Sequence, residues 1–356
     1  MKTIATIVGA RPQFIKVAPV SKALAESGRA REILIHTGQH FDADMSDVFF
    51  DELGLQRPDY QLDVHGGGHG AMTGAMLQKL EPVLSALQPD CVLVYGDTNS
   101  TLAGALVAAK LGIPIAHVEA GLRSFNRAMP EEINRIVADR LSDLLFASTA
   151  TAKRNLEREG ISPSQIYQVG DVMYDAAIQF AEIASQRRGV LDRLGIAPKT
   201  YVLATVHRAE NTDDPARLVT LVTALEDIAG QRPVVLPLHP RTGQRMAAAG
   251  LAFKKVTTIP PVGYLDMVAL ESQASVIATD SGGVQKEAFF YQVPCVTLRD
   301  ETEWVELIEL GWNRLASPAE SDIVKAVLGA VGCRGAAAQP YGDGKSAQAI
   351  AEVLTQ

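Results

Sequence analysis

The chain has 356 residues, 47% of them hydrophobic, and a formal net charge of −8. A length prior of roughly 150 residues per domain predicts two domains, and the apolar fraction is ample for two cores. The acidic balance excludes a general nucleic-acid surface, so any anionic ligand must be met by local cations. The first residues, MKTIATIVG, run directly into a strand-like segment and lack a signal-peptide cleavage region, and no apolar run approaches the ~18 residues of a membrane span. Cys91, Cys295 and Cys333 are scattered without CxxC spacing, which fits a reducing cytoplasm and no structural metal.

In chain order, strands are predicted at TIATIV (3–8), EILIHT (32–37), CVLVY (91–95), PIAHVE (114–119) and LLFAS (144–148). Amphipathic helices are predicted over 13–27, 71–87, 99–111 and 131–142. The pattern breaks near 171–200, where one helical segment (175–187) ends in QRRG. A second series follows: YVLATV (201–206), PVVLPL (233–238), VTTI (256–259), SVIAT (275–279) and PCVTL (294–298), with helices over 214–229 and 263–272. DSGGVQKE (280–287) joins the strand 275–279 to a helix that begins around EAFFYQ, and 345–355 reads as a closing helix. Continuous apolar strands separated by helices imply parallel sheets covered on both faces. The expected fold is therefore α/β, with two Rossmann-like domains over 1–172 and 173–356. The last helix can pack back on the first domain.

Open parallel sheets bind ligands beyond the carboxyl ends of their strands, and polar clusters follow strand after strand here. DSGGVQKE is the most informative. Two glycines at a strand-to-helix turn let backbone N–H groups close on an anion at a helix N-terminus, and Ser281 adds a hydroxyl. Ser281, Gly282 and Gly283 thus form a candidate phosphate turn. Glu287, one turn into the helix, is placed to accept from a ribose diol, which points to a nucleoside diphosphate. Arg11 and Lys16 follow the first strand without the GxGxxG of a dinucleotide site; Arg grips a diphosphate bidentately and Lys acts as a point charge. Gln39 and His40 of TGQH follow the second strand, and Arg299 and Asp300 follow the last.

Asp97, Glu119 and Glu131 lie at or just after strand ends of the first half, with Arg123, Arg127 and Arg135 nearby. Carboxylates converging on one place supply general acids and bases. Asp97 is equally suited to cap a helix starting at Thr98, and Glu131 and Glu132 to complement a helix dipole after Pro130. His207, Arg208, Glu210 and Asn211 form the main cluster of the second half, facing a phosphate or else capping the turn into the helix at 214. His239 and Arg241 are a weaker copy. His65-Gly-Gly-Gly-His69 has no Cys beside it and reads as no metal site. GDGKS (342–346) has wrong Walker spacing. Trp304 and Trp312 read as packing groups.

Taken in order, GARPQFIK, TGQH, GDTNSTLAGALVAAK, HVEAGLRS, PEEINR, VGDVMYD, HRAEN and DSGGVQKEAF span nearly the whole chain. With them it resembles the non-hydrolysing UDP-N-acetylglucosamine 2-epimerases. The resemblance implies a GT-B-like two-domain fold with its active site in the interdomain cleft, a homodimer, a UDP-sugar substrate, and neither nicotinamide nor catalytic metal. It implies inversion at C2 of the sugar by anti elimination of UDP, giving a 2-acetamidoglucal, then return of the proton and UDP. Asp97, Glu119 and Glu131 match the family's catalytic carboxylates, with acid and base unassigned, and His207 matches the histidine near the diphosphate. Arg11 and Ser281 match phosphate contacts, and Glu287 the ribose carboxylate.

The chain departs from the best-known branch at Gln13, at FDADM after TGQH, at HPRT (239–242) and at TEWVE (302–306). These changes count against allosteric activation by substrate. They resemble the branch acting on UDP-2,3-diacetamido-2,3-dideoxy-glucuronate, whose extra carboxylate calls for a cation such as Arg123 or Arg127. A hydrolysing 2-epimerase and a GT-B glycosyltransferase are the competing readings. Carboxylates near C2 favour an epimerase, because glycosyl transfer abstracts no proton there.

Overall fold

Apolar runs that alternate with helices can hide both faces only in a covered parallel sheet, and the chain builds two. The computed structural model describes residues 1–39, 50, 52–185, 189–319 and 321–356, with the Arg11 side chain also outside the described part. β1 (Lys2–Val8), β2 (Ala30–His36), β3 (Tyr60–Gln61), β4 (Cys91–Tyr95), β5 (Ile115–Ala120), β6 (Leu144–Ala147) and β7 (Ile166–Gln168) form a sheet in the order β3-β2-β1-β4-β5-β6-β7. β8 (Val202–Thr205), β9 (Val234–Pro237), β10 (Thr257–Ile259), β11 (Val276–Thr279), β12 (Cys295–Thr297) and β13 (Asn313–Leu315) form the other, ordered β10-β9-β8-β11-β12-β13. Every pairing is parallel.

Two compact units follow from this: Met1–Ala176 with Gln339–Gln356, and Ala177–Ala338. The helix Ser346–Thr355 packs on Arg11–Ser27 within the first unit. Both sheets reverse their strand order at one place, between β1 and β4 and between β8 and β11. In an open α/β sheet that reversal opens the crevice where ligands bind.

Local chemistry sets the helix boundaries. Thr98 caps the helix Asn99–Leu111, accepting from Thr101 N, and Gly112 ends it in the left-handed region. Asp214 caps Pro215–Ala229, with proline at the first helical position. Ile7, Ile35, Leu80, Leu84, Val92 and Val94 are buried in the first core, and Val202, Leu221, Leu225, Val234 and Val276 in the second. Each such side chain contributes about 1.5–3 kcal/mol when fully buried. The helix Asn99–Leu111 lies close on its sheet because Gly104 has no side chain. A Cβ there would come within 2.9 Å of Ile7 Cδ1 and 3.1 Å of Val94 Cγ1.

The structure corrects the sequence reading in several places. β3, β7 and β13 were not expected, and neither were the helices Ala150–Arg158, Gly189–Leu194 and Pro240–Ala248. The helix after DSGG begins at Gly282, a turn earlier than expected, because Ser281 Oγ accepts from Val284 N and caps it. No helix among the described residues is long and apolar enough to cross a membrane.

Candidate active site

In the first unit, the loops after β1, β4 and β5 converge at the strand-order reversal. Gln13, in the helix Arg11–Ser27, is 1% exposed and ties two of them together. Its Oε1 accepts from Gly9 N at 2.8 Å and Ala10 N at 3.0 Å; its Nε2 donates to Tyr95 O at 2.8 Å and Thr101 Oγ1 at 3.1 Å. A carboxylate could not make the last two as an anion, so the side-chain amide is used at both ends. Gln39 supports the same junction, accepting from Ser100 N at 3.1 Å and Ser100 Oγ at 2.9 Å. His40 lies outside the described residues, and Arg11 opens the first helix with its side chain outside them.

Glu119 is in the left-handed region, with φ of 72°. The β5–β6 register shifts between Val118 and Ala120, so Glu119 is the extra residue of a bulge. A non-glycine residue holds such a backbone only where its surroundings enforce it. Its carboxylate pairs with Lys16 Nζ. Lys16 is held charged: burial lowers its pKa, but Glu119 and then Asp97 outweigh that and raise it. Asp97 does not cap a helix, since Thr98 does that; its Oδ2 meets Arg135 Nη2 at 2.5 Å. Arg135 also donates to Glu132 Oε2 at 2.9 Å.

Glu131 and Glu132 divide the work of the first turn of Pro130–Leu141. Glu132 is buried and accepts from Ser124 N, Ser124 Oγ and Phe125 N at 2.9, 2.9 and 3.0 Å. Glu131 is partly exposed and has no hydrogen-bonding partner among the described residues. Arg123 is not available to a substrate. Its side chain is 1% exposed and donates to Asp139 and Glu159 at 2.7 Å. Arg127 is exposed.

Beneath these groups runs a chain that sequence reasoning missed. Asp139 Oδ1 meets His117 Nδ1, and His117 Nε2 meets Gly96 O, each at 2.7 Å. His117 is fully buried. Burial lowers its pKa, but the acceptors on both ring nitrogens, Asp139 foremost, raise it further. The imidazole is fixed as a double donor that anchors the loop carrying Asp97.

In the second unit Asp280 is the organiser, and it too was missed. It is fully buried and accepts from His207 N at 3.0 Å, Arg208 N at 3.0 Å and Asn211 Nδ2 at 3.1 Å. His207 Nδ1 lies 3.2 Å from Asp280 Oδ1. Burial raises the Asp280 pKa, but these donors outweigh it and bring it below the usual range. The loop after β8 is thereby fixed across the reversal to β11, and the His207 ring stays 43% exposed. His239 caps Pro240–Ala248, accepting from Arg241 N at 3.2 Å, and its ring lies 6.0 Å from that of His207. Thr205, Val206, His207, Pro237, His239, Pro261, Val262 and Met267 line a mostly apolar cavity of about 170 Å³.

Three expected ligands of the second unit are engaged within it. Asn211 is fully buried, donating to Asp280 and Leu298 O and accepting from Arg217 Nε. Asp300 pairs with Arg217 and accepts from Ser317. Arg299 is 6% exposed and meets Glu210 at 3.2 Å and Glu303 at 2.7 Å. Arg208 is half-buried. Glu287 is pushed up to about 7 by burial, against the pull of Lys286. Behind it Glu271 is 1% exposed, with neither carboxyl oxygen hydrogen-bonded, and burial followed by Glu287 pushes it well above the carboxylate range. Trp304 is more than a packing group: its Nε1 donates to Gly282 O at 2.9 Å. Trp312 packs on Phe289. Among the described residues no group of acidic, His and Cys side chains could hold a metal ion.

The chain is similar to proteins of one kind. The sequence profile described as UDP-N-acetylglucosamine 2-epimerase matches residues 22–355. A UDP-2,3-diacetamido-2,3-dideoxy-D-glucuronate 2-epimerase of Pseudomonas aeruginosa is 54% identical over 99% of both chains. A UDP-N-acetylglucosamine 2-epimerase of Methanocaldococcus jannaschii is 44% identical over 99% of this chain and 98% of its own. The solved structure of UDP-GlcNAc 2-epimerase from that organism superposes with a TM-score of 0.89 over 99% of both chains at 42% identity. A second structure of it, in complex with UDP-GlcNAc and UDP, gives 0.86 at 44% identity over 99% of both.

Proposed function

The chain belongs to the UDP-N-acetylglucosamine 2-epimerase family and is a UDP-sugar 2-epimerase; we propose that its substrate is UDP-2,3-diacetamido-2,3-dideoxy-glucuronate, epimerised at C2 without hydrolysis. The observation that carries the choice of sugar is the 54% identity to the Pseudomonas aeruginosa enzyme, against 44% to the Methanocaldococcus jannaschii one. The product is a manno-configured UDP-sugar for surface polysaccharide.

In this reading the second unit holds UDP. Uracil enters the apolar cavity beside His207 and His239. Ser281, Gly282 and Gly283 bind the diphosphate with Arg208, and Glu287 accepts from the ribose. Preorganised donors there stabilise negative charge as UDP departs. His207, whose position Asp280 supports, donates toward the leaving oxygen.

The first unit handles the proton. The C2–H bond of the sugar is not next to a carbonyl and becomes acidic only as the C1–O bond to UDP breaks. One carboxylate among Asp97, Glu119 and Glu131 takes that proton as UDP leaves anti to it. Another protonates the 2-acetamidoglucal from the opposite face, and UDP returns to C1. Lys16 and Arg135 set the electrostatics of Glu119 and Asp97. Arg127 is the candidate cation for the carboxylate of the uronate. We further propose a cytoplasmic homodimer, which light scattering tests directly.

Proton NMR in D2O of the enzyme with UDP-2,3-diacetamido-2,3-dideoxy-glucuronate, and separately with UDP-GlcNAc, tests the assignment. The expected result is faster conversion of the acidic sugar to its manno epimer, with deuterium at C2 and UDP attached. Faster turnover of UDP-GlcNAc overturns the choice of sugar, and release of UDP with free sugar overturns the non-hydrolysing route. Arg127→Ala should raise KM for the acidic substrate about tenfold, the loss of one charge-assisted contact; an unchanged KM removes Arg127 from the site.

A further inference from the structure

The face of the phosphate turn is already covered by a carboxylate of the same unit. A Cβ at Gly282 would lie 2.3 Å from Glu303 Oε1, so the carboxylate rests against backbone that only glycine leaves open. Glu303 Oε2 accepts from Arg299 Nη1 at 2.7 Å, and Oε1 lies 3.7 Å from Arg208 Nη2. The next residue is pinned to the same turn: Trp304 donates to Gly282 O, and Lys286 Nζ lies 4.5 Å from the centre of its ring. Gly282 and Gly283 donate their N–H groups to no acceptor among the described residues. Two guanidinium groups and the Gly282 backbone at a helix N-terminus thus face one internal anion, while two N–H groups of the turn make no bond to it.

We propose that Glu303 is a built-in competitor of the diphosphate: in the free enzyme its carboxylate neutralises Arg208 and Arg299 at the turn, and UDP displaces it. The proposal rests on the reading of Ser281–Gly283 as the phosphate turn. Two anions a few ångströms apart beside the same cations repel one another, so one must yield. Glu303 is the mobile partner, because its side chain is 43% exposed and an outward rotamer returns it to water, whereas Arg299 at 7% stays in place. Its function is to moderate affinity. A site that captured UDP with every cation uncompensated would release its product slowly.

Calorimetric titration of UDP, and separately of inorganic pyrophosphate, into the wild type, Glu303→Gln and Glu301→Gln tests this. Glu301 is exposed, and its change removes the same charge without touching the turn. Glu303→Gln should bind UDP about two- to fivefold tighter, the scale of a partly exposed ion pair. Pyrophosphate should follow in the same direction, and Glu301→Gln should match the wild type. A wild type that binds UDP with Glu303→Gln no tighter overturns the proposal alone. An equal gain in Glu301→Gln reduces the effect to net charge and overturns it as well. Failure of both wild type and Glu303→Gln to bind UDP overturns the phosphate turn itself, and the proposal with it.

Discussion

The two strand-order reversals are built alike and use their carboxylates in opposite ways. At the first, Glu119 has Lys16 and Asp97 has Arg135, while Glu131 is left without a hydrogen-bonding partner among the described residues. At the second, Asp280 is fully buried and surrounded by donors from His207, Arg208 and Asn211. Position after a strand therefore does not decide a carboxylate's role. What decides it is how much of its acceptor capacity the fold consumes. The first reversal leaves acceptor capacity on its carboxylates; the second uses one to shape the loop after β8.

The comparison breaks most sharply in activity. Glu119→Gln should lower kcat by about 10²–10⁴, the range of a lost general acid or base, with UDP affinity by calorimetry nearly unchanged. Asp280→Asn should act the other way round. It should cost about 2–3 kcal/mol in urea unfolding, since buried donors are left poorly met, and weaken UDP binding along with it. Full stability in Asp280→Asn with only kcat reduced would erase the distinction between the two reversals.

A smaller effect sharpens it. Glu287 sits at about 7 in the folded protein, above its ordinary 4.5, so the folded state keeps that proton longer than the unfolded chain. Its contribution to stability is complete below about 4.5 and is lost as the pH rises to about 7. The Tm of the wild type should therefore fall relative to Glu287→Gln across that interval. UDP affinity should rise over the same interval, because the ionised carboxylate is the better acceptor for ribose hydroxyls. Parallel rather than opposed trends would remove Glu287 from the ribose.

Much of the fold was legible because its long strands are continuous apolar runs and its helices are amphipathic. β3, β7 and β13 were not, since two or three residues carry no periodicity and owe their pairing to a neighbour already in place. The gathering of polar residues after strands was legible too, at the end of a parallel sheet where ligands are met. The division of labour was not. Gln13 reaches Tyr95, His117 reaches Asp139, and Asp280 reaches His207, and no local pattern records such distant partners. For the same reason Arg123, Asn211 and Asp300 read as ligands, although each is occupied within its own unit. Glu131 and Glu132 are adjacent and chemically identical, and only the turn at Ser124 and Phe125 tells them apart.

The return of the helix Ser346–Thr355 to the first unit sets an order of assembly. Residues Ala177–Ala338 form one uninterrupted stretch, whereas the first unit needs Gln339–Gln356 to be complete. Domains fold as units, in general from the N-terminus during synthesis, yet here the segment made first cannot finish first. The helix Arg11–Ser27 therefore gains the helix Ser346–Thr355 as its partner only after Ala177–Ala338 has been made. The unit that carries Asp97, Glu119 and Glu131 is thus closed by residues made long after them.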